Sequence, residues 1–250
     1  MEFSSYLRSL ELDDTKLATL SASSRILAIS PHPDDSELIA GAFLSQRVHS
    51  GAHVKLILVS DGRKGAKDME EEKVAEIRMG EQKEAIKALG IREMEFLGFK
   101  DTEVPSPSVL RDTLLEKMRK FQPDLVVTVD PFLEMEVHPD HISTGMAVLQ
   151  SVLFFEFPNI GKGIPNSSAP AVALGGTNRP NVIFNCMSFD TYKRRALECH
   201  ASQFNEDAID LITSLGELVG SRIGSKCGEP FRVLYQHELH VNILGGMQPW

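Results

Sequence analysis

Residues 25–49 read RILAISPHPDDSELIAGAFLSQRVH and contain the pattern of a strand, a tight loop and a helix. The run Arg25–Ser30 is short and apolar and stops at a cluster of prolines and acids, which is typical of a buried strand. Apolar residues return at helical spacing over 37–49. The segment therefore predicts a β-strand followed by an α-helix, with one histidine and two adjacent aspartates in the loop between them.

The same alternation of strand and helix continues along the chain. Further strands are predicted at 53–59, 94–99, 125–129 and 181–186, and further helices at 68–89, 108–121, 139–154, 190–203 and 207–221. Residues 1–24 predict a helical lead-in. Residues 158–180, rich in Gly, Pro, Asn and Ser, predict a long loop that is either a surface insertion or a binding loop. The pattern predicts an α/β fold: a Rossmann-like, three-layer αβα domain over 1–250 with a mostly parallel sheet.

The composition describes one globular domain with an acidic balance. The 250 residues carry 26 basic and 35 acidic side chains, a formal net charge of −9. Because the basic residues are scattered among acids, neither nucleic acid nor an anionic membrane is an expected partner. No signal peptide and no run of about 18 apolar residues is evident, so a cytoplasmic protein is expected. The cysteines, Cys186, Cys199 and Cys227, are odd in number and widely spaced, which predicts neither a disulfide framework nor a cysteine metal site.

Two polar clusters follow strands of the same predicted sheet. The sequence PHPDD occupies 31–35, after the first strand, and VHPDH occupies 137–141, after the fourth. Ligand sites in open α/β sheets lie beyond the carboxyl ends of the strands, so the clusters are expected to meet. An imidazole, a carboxylate three residues later and an imidazole from another strand end can hold a divalent ion and leave a position for water. Of two adjacent aspartates, one can bind the metal while the other handles protons.

Structural interpretations of both clusters remain open at this point. Asp35 or Ser36 is a good N-cap for the following helix, and His138 and His141 suit the entry of another helix. Capping explains one acid but not two acids with a histidine. A magnesium phosphohydrolase is a further alternative, but no phosphate-binding glycine loop follows the first strand.

The motifs resemble those of the LmbE-like, or PIG-L, family of zinc-dependent N-deacetylases, which act on N-acetylglucosamine groups. The resemblance runs from about residue 25 to the C-terminus. It is carried by PHPDD at 31–35, SDGRKG at 60–65, Arg78 with Glu81, DTE at 101–103, HPDH at 138–141 and HASQF at 200–204. Blocks at 130–131, 200–207 and 228–232 look most like the archaeal diacetylchitobiose deacetylase branch of the family.

The resemblance implies a zinc ion (Zn²⁺) as cofactor and a role for each site residue. The implied ligands are His32, Asp35 and His141. Asp34 would be the general base, and His138 would stabilise the oxyanion and help to protonate the leaving amine. Asp140 would orient His138 or His141, although an acid at a helix start is an equally ordinary feature.

The resemblance also implies substrate contacts. Arg78 and Asp101 match positions that contact sugar hydroxyls, a chemistry that suits a guanidinium and a carboxylate. An ion pair between Arg78 and Glu81 on one helix face is the alternative. His200 and His240 are further candidates, against the alternatives of a packed helix and a solvated terminus.

The implied reaction is removal of the N-acetyl group from a short chitooligosaccharide such as diacetylchitobiose, or from N-acetylglucosamine, with release of acetate. The expected partner is thus a small amino sugar, and relatives of this branch suggest a homo-oligomer. Two alternatives stay open: an amidase or deacetylase of a glucosaminyl conjugate, such as a thiol-precursor sugar or a lipid headgroup, and a non-catalytic sugar- or metal-binding protein. Residues 134–137 and 158–180 match no motif and leave the sugar undefined.

Overall fold

A seven-stranded sheet between helical layers forms the centre of the computed structural model, which describes residues 3–164, 167–186 and 188–240. The elements in chain order are α1 (Phe3–Ser9), α2 (Asp14–Ala22), β1 (Arg25–Ser30), α3 (Asp35–His49), β2 (His53–Ser60), α4 (Glu71–Leu89), β3 (Glu93–Phe99), α5 (Pro107–Phe121), β4 (Leu125–Val129), α6 (Pro139–Leu153), β5 (Ala171–Gly175), β6 (Val182–Asn185), α7 (Asp190–Glu198), α8 (Glu206–Ser221) and β7 (Gly228–Leu234). A short 3-10 helix, Gln236–Glu238, follows β7.

The strand order is β3-β2-β1-β4-β5-β7-β6. Strands β1 to β5 pair in parallel, and β7 runs antiparallel to both β5 and β6. Strands β2 and β3 lie on one side of β1, and β4 lies on its other side. The strand order therefore reverses between β1 and β4. Such a switch point opens a crevice at the carboxyl ends of the two strands. The predicted α/β class with a mostly parallel sheet is confirmed.

Alternate residues of the central strands face two separate cores. Ile26 and Ala28 pack in the core that includes residues of α3 and α4, whereas Leu27 and Ile29 pack in the core that includes residues of α5 and α6. A parallel strand that is buried on both faces has no polar side, which explains the continuous apolar runs in the sequence.

The N-terminal residues form two helices, in agreement with the expected helical lead-in. Leu7 of α1 packs with Ile183 and Val219 in a small third cluster, and Leu20 of α2 lies in the core shared with α3. Arg222 donates from Nε to the carbonyl of Leu7 at 2.8 Å. The contacts of Leu7 tie α1 to the end of α8, and Leu20 ties α2 to the central core. Within the described ranges, no helix is both long and apolar enough to cross a membrane.

The prediction of a loop over 158–180 was wrong for Ala171–Gly175, which form β5. All five residues are buried and pair with β4 along its whole length. A short run of small apolar residues between Gly- and Pro-rich flanks carries little periodicity, so the strand was not visible in the sequence. Gly175 is required by close packing, since a Cβ there would lie 2.8 Å from the Cβ of Ile39 in α3.

Helix boundaries also differ from the predictions. The helix α4 begins at Glu71 rather than at 68, and α7 ends at Glu198 rather than at 203. His200 therefore lies just beyond α7. The strand β7 was not predicted, and it joins β6 to the rest of the sheet.

Candidate active site

The loop after β1 holds Asp34 in a left-handed backbone conformation, with φ 104° and ψ −28°. This conformation costs a residue other than glycine about 1–3 kcal/mol. Two side chains of α4 stabilise it. Gln82 Oε1 accepts the Asp34 amide at 3.0 Å, and Arg78 donates to Pro33 O at 2.7 Å and to Asp34 Oδ2 at 2.9 Å.

Three histidines and Asp35 meet between the ends of β1 and β4. His32 Nδ1 lies 3.4 Å from Asp35 Oδ2, and His141 Nε2 lies 3.5 Å from Asp35 Oδ1. The His138 ring centroid is 4.6 Å from that of His32 and 5.1 Å from that of His141. One nitrogen from each histidine lies within 4.8 Å of the other two, a spacing that suits a shared ion. The two polar clusters do come together.

The second ring nitrogen of His32 faces two other carboxylates. Its Nε2 lies 3.0 Å from Asp140 Oδ2 and 3.3 Å from Asp101 Oδ1, and these three residues form a second group with metal-ligand spacing. Burial lowers the pKa of His32, but hydrogen bonds with Asp101, Asp140 and Asp35 outweigh burial and raise this pKa to about 11. Burial raises the pKa of Asp101, but the bond with His32 prevails and holds it at about 2. The Asp140 carboxylate thus contacts His32, whereas His138 and His141 were its predicted targets.

Glu136 positions both histidines of the second cluster. Its Oε2 lies 3.0 Å from His141 Nδ1, and its Oε1 accepts the His138 amide at 2.8 Å. A carboxylate on one ring nitrogen, with the other nitrogen facing the ion, is typical of metal-binding histidines. Glu136 was not predicted as a site residue because residues 134–137 match no known motif. Its position two residues before His138 was the only signal in the sequence.

His138 is also the N-cap of α6. Its Nδ1 accepts the Asp140 amide at 3.3 Å, so the structural interpretation of this histidine as a helix cap holds as well. Burial, together with the neighbouring His32 and His141, lowers the pKa of His138. Because Nδ1 accepts this hydrogen bond, the single N–H proton of the neutral imidazole lies on Nε2.

The adjacent carboxylates Asp34 and Asp35 have opposite electrostatic environments. Burial and the charge of Asp35 raise the pKa of Asp34 to about 7, although Arg78 acts in the other direction. Burial also disfavours ionisation of Asp35, but the hydrogen bond and charge of His32 and the charge of His141 lower its pKa overall. One carboxyl group can therefore exchange a proton near neutral pH while its neighbour stays ionised.

A cleft of about 290 Å³ opens over these residues. Its walls are formed by His32, Lys64, Gly65, Arg78, Asp101, Thr102 and His138. Arg78 and Asp101 thus line the cleft, and their contact with a sugar stays a prediction. Lys64 was not singled out, although it belongs to the SDGRKG block. Gly62 has φ 62°, and a Cβ there would lie 2.3 Å from Arg78 Nη1, so only glycine leaves room for the guanidinium.

Two predicted residues lie away from the cleft wall. His200 is completely buried, with its Nε2 3.7 Å from Glu37 Oε2, and neither ring nitrogen has a hydrogen-bond partner in the described part of the chain. Glu37 in turn accepts Gln82 Nε2 at 2.8 Å, which links His200 to the support of Asp34. His240 is exposed and does not line the cleft. Substrate contact by either residue stays a prediction.

Two known proteins with similar sequences are deacetylases. The diacetylchitobiose deacetylase of Thermococcus kodakarensis is 31% identical over 228 residues, which cover 87% of this chain and 85% of that protein. A probable N-acetyl-alpha-D-glucosaminyl L-malate deacetylase 2 of Bacillus anthracis is 31% identical over 74% of this chain and 84% of its own length.

A solved structure and a family model agree with these relatives. The N,N'-diacetylchitobiose deacetylase from Pyrococcus horikoshii, complexed with its inhibitor MPG, superposes with a TM-score of 0.85 at 29% identity and covers 92% of this chain and 91% of its own. The sequence model of PIG-L, described as GlcNAc-PI de-N-acetylase, matches residues 27–152, which include both polar clusters. The chain therefore belongs to the PIG-L family of de-N-acetylases.

Proposed function

We propose that the protein is a zinc-dependent hydrolase that removes the acetyl group from an N-acetylglucosamine unit of a short sugar, such as N,N'-diacetylchitobiose, or from N-acetylglucosamine itself. The observation that carries the proposal is the pair Asp34 and Asp35. The Asp35 carboxylate faces the histidine cluster, and Arg78 binds the neighbouring Asp34 carboxylate. The named activity of the relatives from Thermococcus and Pyrococcus supports the choice of sugar.

The metal ligands in this proposal are His32, Asp35 and His141. Two imidazoles and one carboxylate form a donor set that suits zinc and leaves a coordination position open. Contacts of the remaining imidazole nitrogens with Asp140 and Glu136 fit this assignment, because they orient the two rings. A bound zinc ion supplies Lewis-acid polarisation of the acetamide carbonyl and of water.

Asp34 is the proton acceptor. Arg78 holds its Oδ2, and we assign Oδ1 to take the proton from the water that attacks the acetamide carbon. The same carboxyl group then carries the proton toward the amine that leaves when the carbon–nitrogen bond breaks. A base with a pKa near the working pH is suited to both transfers.

His138 stabilises the charge that develops on the carbonyl oxygen. Because its Nδ1 accepts the Asp140 amide, its Nε2–H can donate to that oxygen. Loss of one such donor typically lowers turnover by about 100-fold or more. Arg78 and Asp101 are assigned to the sugar hydroxyls, with Lys64 as an additional donor on the cleft wall.

A glucosaminyl conjugate is the second candidate substrate. Phe132, Met135 and Val137 are exposed apolar side chains in the segment that leads into His138. We place these side chains beside the cleft because their segment leads into His138 of the cleft wall, and apolar side chains there can bind an apolar substituent on the sugar. Their exposure was not evident from the sequence.

Product analysis with three substrates tests the proposal. The zinc-loaded protein is incubated with N,N'-diacetylchitobiose, with N-acetylglucosamine and with an alkyl N-acetylglucosaminide, and acetate and primary amine are quantified. We expect equal amounts of the two products from at least one of the unsubstituted sugars. Turnover of the alkyl glycoside alone selects the second candidate, and no acetate from any substrate contradicts the hydrolase assignment.

The remaining parts of the proposal concern the setting of the enzyme. We infer a cytoplasmic location, no nucleic-acid partner and a homo-oligomer. The net charge of −9 supports the absence of a nucleic-acid partner. Exposed leucines of α8, at 211, 215 and 218, support a homo-oligomer, since they form one apolar side of that helix. Light scattering of the purified protein measures the oligomeric state.

A further inference from the structure

Two of the three cysteines lie side by side in the fold. Cys186 follows β6 and Cys227 precedes β7, 41 positions apart in the sequence, and their Sγ atoms are 3.0 Å apart. Both thiols are free and buried. The wide spacing in the sequence gave no indication of this pair.

The backbone holds the two residues opposite each other. The antiparallel pairing of β6 with β7 ends at Asn185 and Gly228, and one step further the Cys186 amide donates to the Cys227 carbonyl at 3.3 Å. Opposed residues of an antiparallel pair have Cα atoms about 4.5–5.5 Å apart, a separation that disulfides accept. Helix α8 fixes Cys227 from the other side, because a Cβ on Gly220 would lie 2.7 Å from the Cys227 carbonyl carbon.

We propose that Cys186 and Cys227 are an oxidisable pair that forms an intramolecular disulfide in reaction with a small-molecule disulfide, and that this cross-link stabilises the fold. The proposal rests on the sheet register and on the distance between the sulfurs. It does not depend on the proposed deacetylase activity, because neither cysteine contacts the residues assigned to the site.

Cys227 is the thiol that an oxidant reaches first. It lines a small cavity of about 30 Å³ between α7, α8 and β7, together with Lys193 and Glu229, which form an ion pair of 2.8 Å. The sulfur–sulfur contact lowers the pKa of Cys227 and raises the pKa of Cys186. Cys227 is thus both more accessible and easier to ionise than its partner, as the attacking thiol must be.

The reaction balances as two thiol–disulfide exchanges. The Cys227 thiolate attacks one sulfur of the oxidant, a protein–oxidant S–S bond forms, and one thiolate leaves with the electron pair of the broken bond. Cys186 then loses its proton to solvent and attacks the Cys227 sulfur, and the second thiolate leaves. The two cysteines are oxidised by two electrons, and the oxidant becomes two thiols after protonation.

The cross-link closes a segment that contains α7, α8 and His200. Two residues after Cys227, Glu229 accepts the amides of Ala42 and Phe43 in α3, so the closed segment is anchored beside the helix that begins at Asp35. A disulfide that closes a loop of this length restricts the unfolded chain. We therefore expect the oxidised protein to melt about 5–10 °C above the reduced protein.

Thiol counting and thermal unfolding of the full chain test the proposal, with oxidised glutathione as the probe. Free thiols of the denatured protein are alkylated and counted before and after oxidation, cross-linked peptides are identified by mass spectrometry, and the thermal midpoint is measured in both states. We expect the count to fall from three to one, a link between Cys186 and Cys227, and the higher midpoint. The variant Cys199→Ser is the matched control and should retain both the link and the shift.

Three results would overturn the proposal: a count that stays at three, glutathione retained on Cys227 without an internal link, or equal midpoints for the two states. The variants Cys186→Ser and Cys227→Ser should each lose the shift. If either variant fails to fold, the comparison of oxidised and reduced Cys199→Ser still decides the question.

Discussion

Asp34 illustrates how a single strained residue is held by its neighbours. Its left-handed backbone is stabilised from α4, through Gln82 at the amide and Arg78 at the carboxylate. The strain separates Asp34 from Asp35, so that adjacent residues have different partners and different pKa values. The division of labour between the two carboxylates follows from this turn.

Asp34→Asn should lower kcat about 1000-fold, because the amide keeps the shape of the side chain but accepts no proton at neutral pH. The zinc content should stay unchanged, since Asp34 is not a proposed ligand. Acetate release and metal analysis of the same preparation measure the two properties. Asp112→Asn, an exposed acid on α5, is the matched control. Near-normal turnover of Asp34→Asn would remove this residue from the mechanism.

Gln82→Met should lower kcat by about 10- to 100-fold with a much smaller change in KM. The methionine fills the same space but leaves the Asp34 amide and Glu37 without their partner, a loss worth about 1–3 kcal/mol. Gln82→Glu restores the acceptor for the amide and should recover part of kcat. Steady-state kinetics and thermal unfolding of both variants separate this effect from a loss of stability. A kcat of Gln82→Met equal to that of the wild type would contradict the positioning role.

At the scale of elements, the strands were easier to predict from the sequence than the contacts between them. Apolar runs bounded by Gly, Pro or acids identified β1, β2, β3 and β4, because the large apolar side chains of those strands contrast with their surroundings. The buried strand β5 lacks that contrast. Arg119 shows a second limit: it donates to the carbonyls of Phe155, Ile160 and Phe157, and this support of the loop after α6 depends on packing that no local pattern reports.

Glu95 connects β3 with β2 and α5 through two lysines, and its pKa makes this stabilisation depend on pH. On β3, it accepts Lys55 of β2 at 2.6 Å and also bonds Lys117 of α5. Burial raises its pKa, but the two lysines prevail, so the pKa lies below the usual value of 4.5. The stabilisation is therefore fully present above pH 4.5 and is lost as the pH falls through the folded-state pKa.

Glu95→Gln should lower the free energy of unfolding by about 1 kcal/mol at pH 7, because the lysines lose a partly buried carboxylate. The difference from the wild type should shrink below pH 4.5, where the wild-type carboxyl group also becomes protonated. Urea unfolding of both proteins at pH 7 and below pH 4.5 measures the effect. The samples contain a chelator so that metal binding does not contribute. A difference that grows on acidification would contradict the assignment.

At the scale of the whole molecule, the sheet converts two distant motifs into one site. The clusters at 31–35 and 137–141 are separated by most of the family match, yet His32 and Asp140 lie 3.0 Å apart, because β1 and β4 are neighbours. The meeting of the clusters was predictable from the rule for strand ends. The support from Gln82 and the pairing of Cys186 with Cys227 were not, since they depend on the relative placement of elements, and the support from Glu136 depends on the conformation of the segment that leads into α6.

The dependence of acetate release on metal tests the central claim most directly. The wild type and His141→Ala are treated with a chelator, dialysed, and assayed with N,N'-diacetylchitobiose before and after addition of Zn²⁺ or Mg²⁺. We predict that chelation abolishes activity of the wild type, that zinc but not magnesium restores it, and that His141→Ala neither retains zinc nor regains activity. Undiminished acetate release by metal-free wild-type protein, or a fully active His141→Ala variant, would contradict the account.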